Sequence, residues 1–483
     1  MNNKVIRLLI YSLLLLVVGP LRSQSYHAIN GSPFAGVTRM YNNPATTVNS
    51  AYKWDFTLLS AQATISNSLF TANKSSFTRF DSATTHFTPG MRSRYLHGNL
   101  DVNIFNMRFN AGKKSAFAFG LRARTYNDTK LTPFYYTDTI STMTGFLSNN
   151  KTVDYLQGFG TSSSWLEADF NFSHIIYQRQ GSRLSAGATV GYMRGLSGGH
   201  AAVQKVTFLD QSTSTQPYYL LTGGSGNAMY SKNYDTLNSN NSFLHNAKSF
   251  LKNSLSSVNI NIGVEYLIRN IQGDEDEVSP TNYDWKIGVS IMDIGKNKYA
   301  AAKGSFTVSD PKSNISDAAV QRQFTHINNI KDLQQNLRNL FNVVDTINQT
   351  FTISNPTRII INIDRNFGHH LYVNGELSMN IYSTEPRFAL KFRTREENLF
   401  TVTPRWETKT LGAYLPIQYN TQGQLWVGGA VKLGPLLLGF HSLDFYKWFK
   451  QGTQSLNGGG YILLSIHPFG TKEVDNSVDC PKY

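Results

Sequence analysis

The chain has 483 residues, a formal net charge of +14 and one cysteine. Hydrophobic residues make up 40%, aromatics 13% and charged residues 16%. That is too few apolar residues for a bundle of membrane helices, and a lone Cys480 can form neither an internal disulfide nor a cysteine-based zinc site. A β-barrel fits, because only every second residue of a barrel strand needs to be apolar.

The chain opens as an export signal. Lys4 and Arg7 precede an apolar run from Leu8 to Val18, Gly19 and Pro20 break it, and Ser23 supplies a small residue for cleavage. A spanning helix needs about 20 apolar residues, so residues 1–23 are read as a secretory signal peptide. No cysteine follows the run, which excludes lipoprotein processing. Loss of Lys4, Arg7 and Arg22 would lower the net charge from +14 to +11. Residues 24–50 lack strand character and are read as a hatch that folds into the barrel mouth, centred on Asn43, Pro44 and Ala45.

From Ala51 onward, period-two alternation recurs nearly to the end. Phe117, Phe119 and Leu121 oppose Ala118, Gly120 and Arg122. Leu166, Ala168, Phe170 and Phe172 oppose Glu167, Asp169, Asn171 and Ser173. Leu184 to Tyr192, Trp285 to Ile291, Leu371 to Ile381 and Leu425 to Val431 repeat the pattern. In the clearest case Val258, Ile260, Ile262, Val264, Tyr266 and Ile268 oppose Asn259, Asn261, Gly263, Glu265, Leu267 and Arg269. About fourteen such segments are counted, many of about 9–13 residues, where soluble strands average about 5–6 and a tilted membrane strand needs about 9–11. Apolar faces on strands of that length belong toward lipid, and strands in lipid must close on themselves.

The expected fold is therefore all-β: one antiparallel transmembrane barrel of about 14 strands, range 12–16, over residues 51–469, with a polar tail at 470–483. Short turns are read at Gln180–Ser182, Asn366–Gly368, Glu396–Asn398 and Thr421–Gly423. Long polar links are read at Asn67–Tyr95, Asn127–Ser162, Leu196–Asn253 and Tyr299–Ser354. The last holds one helix, with Ile330, Leu333, Leu337, Leu340, Phe341 and Val344 at helical spacing, read as a loop or plug helix.

Several patterns suggest chemistry and are better explained without it. Gly195-Leu196-Ser197-Gly198-Gly199 matches a nucleophile elbow, but the strand–turn–helix context that elbow needs is missing, and a loop turn is expected. His369 and His370 would diverge as strand neighbours, so no metal or other cofactor is expected. Asp274 to Glu277 reads as a solvated hairpin tip. The excess of basic residues carries no aromatic-interleaved motif, so nucleic acid is not an expected partner. Projection onto the strands puts Arg122, Arg124, Glu376, Arg387, Lys391, Arg393, Arg405 and Glu407, with Glu167, on the lumen side. There they either tune ion selectivity or fill the pore as a structural network. Trp54, Trp165, Trp406, Trp448 and Tyr461 are candidates for interfacial belts.

Particular phrases also resemble a known family. Met40–Val48 (MYNNPATTV) resembles the Asn-Pro-Ala segment of fatty-acid-transporter-like barrels. Trp285–Tyr299, Leu415–Phe445, Gly459–Gly470 and Asn355-Pro356-Thr357-Arg358 resemble the Bacteroidota barrel family called domain of unknown function 5723. That family is distantly similar to hydrophobic-compound transporters and to the PorV/PorP-like barrels of type IX secretion. The resemblance implies an outer-membrane barrel without enzymatic activity. An exported barrel is also expected to meet lipid and anionic lipopolysaccharide, which basic rim residues would suit. It implies passive transport of small or hydrophobic compounds, or alternatively a non-transporting partner barrel of a secretion or surface complex.

Overall fold

The computed structural model describes residues 28–75, 84–236, 242–270, 278–325, 327, 330–383, 392–443, 452–455 and 457–467. The expected signal peptide, the start of the hatch, the acidic run at 274–277, Arg387, Lys391, Trp448 and the tail with Cys480 lie outside the described residues.

The wall is a ring of about 14 antiparallel strands, as the alternation predicts. In chain order they are β1 (Trp54–Asn67), β2 (Arg92–Ala111), β3 (Ser115–Phe134), β4 (Leu156–Arg179), β5 (Ser182–Asp210), β6 (Ser256–Ile268) and β7 (Trp285–Ala300). Then follow β8 (Arg358–Asn366), β9 (Leu371–Asn380), β10 (Leu399–Glu407), β11 (Leu411–Tyr414 and Ile417–Asn420), β12 (Leu425–Leu433), β13 (Leu436–Ser442) and β14 (Gly458–Ile466). Each strand pairs with the next, and β14 returns to β1, with Phe56 opposite Ile466 and Ile65 opposite Gly458. Closure leaves no open edge, which is the condition for strands in lipid.

The two faces sort as the sequence demands. On β6, Val258, Ile260, Ile262 and Val264 are 44–54% exposed on the outside, whereas Asn259, Asn261 and Glu265 are at most 3% exposed inside. Phe170 and Phe172 on β4 and Trp285, Ile287 and Val289 on β7 also face outward, opposite buried Asp169, Asn171, Lys286 and Ser290. This inverts the soluble arrangement: carbon outside, polar atoms inside.

Strand height divides the ring. β2 to β5 run 20, 20, 24 and 29 residues, whereas β8 to β10, β12 and β14 run 9–10 and β13 runs 7. The short strands suffice to cross a bilayer, at about 9–11 residues each. The surplus of the tall ones builds a cap at the end where the long links lie. There the upper part of β5 pairs with Tyr219–Tyr230, which pairs with Phe306–Pro311, which pairs with Phe341–Thr346. Helices α1 (Met143–Ser148), α2 (Phe243–Lys252), α3 (Asp317–Thr325) and α4 (Ile330–Leu340) belong to the same end. Val320 of α3 and Leu337 and Leu340 of α4 close a small apolar core with Leu221, Phe306, Val308 and Phe341.

Several expectations are corrected here. The supposed loop from Leu196 is strand as far as Asp210, and the Gly-x-Ser-x-Gly phrase lies inside β5. A Cβ at Gly198 would fall 2.5–2.7 Å from the ring of Tyr299, so these glycines make room for that ring rather than a turn. β3 likewise runs past Asn127 to Phe134, and β4 starts at Leu156. Glu396–Asn398 is not a hairpin turn but the end of a long link into β10, with Arg393 forming a lone bridge to Ser354. The expected helix stops at Leu340, because Phe341–Thr346 pairs as a strand, and it caps the barrel rather than plugging it. Trp165 and Tyr461 are buried in the lumen, Trp406 is 40% exposed outside, and Trp54 is half-buried. A register shift at Ser164/Trp165 accompanies the inward turn of Trp165, whose indole donates to Glu167 at 2.9 Å.

Candidate functional site

The lumen is filled by two ion networks and by the chain's own N-terminal segment. Arg122 and Arg124 project inward from β3, two residues apart and on one face. Arg122 meets Glu167 at 3.0 Å and Asp169 at 3.1 Å on β4, and its guanidinium lies 4.1 Å from the ring centre of Tyr41. Arg124 meets Asp101 at 2.9 Å, Glu167 at 3.5 Å and Asp293. A bulge in β7 supplies Asp293: the pairing with β6 shifts between Ile291 and Ile294, and Met292 and Asp293 both turn inward. Asp293 sits in left-handed backbone, φ 61°, with its amide donating to Asn261 at 2.6 Å. Arg358 joins this upper network through Asp293 at 3.9 Å and through Glu396.

The lower network centres on Arg405 of β10. Its guanidinium grips Asp364 with two bonds of 2.6 and 2.9 Å and reaches Glu407 at 3.1 Å. Lys286 lies 3.6 Å from Asp364, the Tyr283 hydroxyl donates to Asp364 at 2.5 Å, and Tyr414 donates to Glu407 at 2.7 Å. Of the residues expected in the lumen, Arg122, Arg124 and Glu167 thus gather in one network and Arg405 and Glu407 in the other. Glu376 holds the plug directly, and Arg393 is buried under the cap beside Tyr382. The expectation did not single out Asp101, Asp293, Arg358, Asp364 or Lys286. The break in alternation between Ile291 and Ile294 was the available signal for Asp293.

Residues 28–50 lie inside the ring as two short 3-10 helices, Gly36–Tyr41 and Pro44–Asn49, and are almost wholly buried. Asn43 caps the second helix, accepting from the Ala45 amide at 3.0 Å, and Pro44 takes the first helical position, where no N–H is needed. The Asn43 side chain also donates to the Val264 carbonyl at 2.9 Å. Around this centre the wall supplies partners on many sides. Glu376 accepts from Asn30 at 2.7 Å and Asn42 at 2.9 Å. Glu265 takes Arg39 at 2.6 Å and Asn49 at 2.7 Å. Asp55 accepts from the Val37 amide at 2.6 Å, and Thr47 donates to Asn171 at 2.7 Å. Glu407 receives Ser32, and Lys286 and Arg405 both donate to the Gly31 carbonyl.

Shape matches charge. A Cβ at Gly187 of β5 would stand 2.5–2.7 Å from the backbone of Pro44 and Ala45, and one at Gly263 of β6 would collide with the Asn43 amide. Gly120 and Gly288 face Met40 and Asn43 in the same way. The wall is thus hollowed where the Asn43-Pro44-Ala45 segment sits. On the opposite side the plug rests on carbon: Ala28, Ile29 and Ala35 pack against Tyr414, Ala430, Leu437, Tyr461 and Leu463.

Three narrow cavities, with room for water rather than a drug-sized ligand, follow one another down the lumen. The upper one lies among Ser66, Asn99, Tyr126, Ser378, Glu397 and Trp426. The middle one shares Ser378 and reaches Gln62, Asp101 and Arg122, with Asn30 and Thr38 of the plug as its floor. The lower one begins beneath the same turn, at Ile29, Phe34 and Ala35, and extends to Lys432, Leu437 and His467 at the short-turn end.

The chain belongs to the family of unknown function DUF5723, whose model matches residues 44–441. No curated protein sequence matches it. Among solved structures it is similar to the toluene transporter TbuX of Ralstonia pickettii, at 11% identity, with 89% of this chain and 92% of that one covered and a TM-score of 0.38. It is also similar to a FadL homologue of Pseudomonas aeruginosa, at 9% identity, 92% and 98% covered, TM-score 0.41. The toluene transporter TodX of P. putida is a third, at 10% identity, 89% and 93% covered, TM-score 0.37.

Proposed function

We propose, with membership of that family as the premise, that this barrel is a gated passive passage for small compounds across the outer membrane, shut at rest by residues 28–50. One observation carries the reading: the turn from Ile29 to Thr38 is at once the floor of the middle cavity and the roof of the lower one. Displacing that turn joins the cavities into one path. The barrel sits with its cap outward and its short turns in the periplasm, as is usual for barrels with long outer links. Its apolar outer belt meets lipid, and basic rim residues meet lipopolysaccharide. Ser197 lies in the middle of β5, so the reading is of a passage and not of a catalyst.

A second reading has its own support. The ion pairs and the glycine hollow hold the plug as tightly as a protein core, which suits a permanently closed barrel serving a secretion or surface complex as partner. Solute uptake by liposomes separates the two. A passage gives slow flux as wild type and fast flux when residues 28–38 are loosened by N30A/S32A, with heat-modifiable folding retained. Absence of flux in both proteins rejects the passage, and a co-purifying surface complex then supports the partner role.

A further inference from the structure

The lower cavity holds a cation that the ion networks leave over. Lys432 points inward from β12 and is 7% exposed. Among the described residues its ammonium has no hydrogen-bond partner. The carboxylates nearby are already engaged. Glu407 is taken up by Arg405, Tyr414 and Ser32, and Asp364 by Arg405, Lys286 and Tyr283. With Asp364 and Glu407 matched by Arg405 and Lys286, Lys432 is the surplus charge.

A second polar atom faces the same space. His467 lines the cavity, its Nδ1 has no hydrogen-bond partner among the described residues, and its ring stacks on Tyr52 at 3.6 Å and 7°. Burial lowers its pKa to about 3, helped by the positive charges of Lys432, Lys409 and Arg108, so the imidazole is neutral and one of its nitrogens carries a proton to donate. The remaining lining includes the Glu407 carboxylate and the Tyr414 hydroxyl, which bond to each other, then Ser465 and a shell of carbon from Ile29, Phe34 and Leu437. A buried ammonium that feels Glu407 only at a distance and makes no hydrogen bond of its own among the described residues is unfavourable, and the apolar part of the shell strengthens its attraction for an anion that enters.

We propose that this cavity is an anion site, taking one monovalent anion of halide or small-carboxylate size on the Lys432 ammonium. The ring of Phe34, 5.2 Å from that ammonium, belongs to the plug. An anion bound there therefore joins plug to wall and favours the seated plug. The site stands whether or not the plug moves during function.

The test compares the thermal transition of purified barrel in chloride, in acetate and in gluconate, a large anion that the cavity excludes, at equal ionic strength and pH 7. Wild type melts about 2 °C higher in the two small anions, the size of shift expected from a modest ligand. Lys432→Arg keeps the difference and Lys432→Met loses it. Equal midpoints for wild type in all three salts overturn the proposal, as does a Lys432→Met protein that still prefers chloride. Should Lys432→Met not fold, wild-type crystals grown in bromide decide. Anomalous scattering within hydrogen-bond distance of Lys432 Nζ supports the site, and a lower cavity without bromide rejects it.

Discussion

Against strands β1 to β10 the plug is held mainly by ions and amides, with small apolar contacts at Ala116, Ala118 and Ile175, and against β11 to β14 it rests on aliphatic and aromatic carbon. The first arc contributes Asp55, Asn171, Glu265, Lys286, Glu376 and Arg405, each with a directed bond to residues 28–50. The second contributes Tyr414, Ala430, Leu437, Tyr461 and Leu463, packed on Ala28, Ile29 and Ala35. Directed bonds between buried charges are costly to break singly, whereas apolar contact is graded and loses little on a small displacement. One strand of the carbon arc is interrupted: β11 is broken at Leu415 and Pro416, where the Leu415 amide donates to the carbonyl of Pro404 on β10. The difference teaches that the first arc fixes where the plug sits; on the gated reading proposed above, the second is where it would tilt.

The sharpest way to break this comparison is to remove one charge from the first arc. Arg39→Met strands Glu265 in the wall with Asn49 as the one remaining partner of its carboxylate among the described residues, which should destabilise the barrel by about 3–5 kcal/mol. Urea unfolding measures the loss, and liposome flux should rise with it. An Arg39→Met protein as stable and as tight as wild type would mean that ion pairs do not hold the plug.

Gly187→Val tests shape without touching any charge. The new side chain meets the backbone of Pro44 and Ala45, which cannot swing away, so overpacking of about 1–3 kcal/mol is expected along with a leak. Gly375→Ala is the control, since its nearest neighbour is the Ile363 carbonyl at 3.8 Å. A smaller effect is expected on the carbon arc. Ile29→Val removes one methylene from the apolar seat, for about 0.5–1.5 kcal/mol, with folding intact and at most a slight rise in flux. If Ile29→Val leaks more than Gly187→Val, the roles given to the two arcs are reversed.

Much of the wall was legible in the sequence, because the period of two is imposed by the strand itself and lipid leaves no choice of face. The alternation from Val258 to Ile268 assigns the face of each residue, Leu267 included: it is the one apolar side chain on the inner parity and is fully buried with Val278 and Tyr283. What escaped was set by contacts distant in sequence. Asn127 to Phe134 and Leu196 to Asp210 look like polar loops because, above the bilayer, neither face of a strand needs to be greasy. Nothing local pairs Arg39 with Glu265, 226 positions away. Asn43-Pro44-Ala45 was legible as a segment, but the hollow that receives it comes from Gly187, Gly263 and Gly288 on three different strands. Arg122, Arg124 and Glu167 are buried on the parity that the alternation gives them, whereas Asp293 departs from parity because a bulge resets it.

The smallest effect should come from the cap, where Lys151 and Asp210 form an ion pair at 2.9 Å with side chains 54% and 41% exposed. Water and salt screen such a pair, so Lys151→Gln should leave both unfolding and flux unchanged at physiological ionic strength. The pair still leaves a mark on titration. Hydrogen bonds from Ser212 and Lys151 hold the Asp210 carboxyl down at about 2. A depressed carboxyl stabilises the fold above its unfolded pKa, and that contribution disappears as pH falls through the folded one. The window is therefore between about 4 and 2. NMR titration of Asp210 should show its midpoint rising in Lys151→Gln while the barrel's melting temperature at pH 7 stays put. A drop in that temperature would mean the cap supports the wall through this pair, and the separation between cap and plugged lumen would fail.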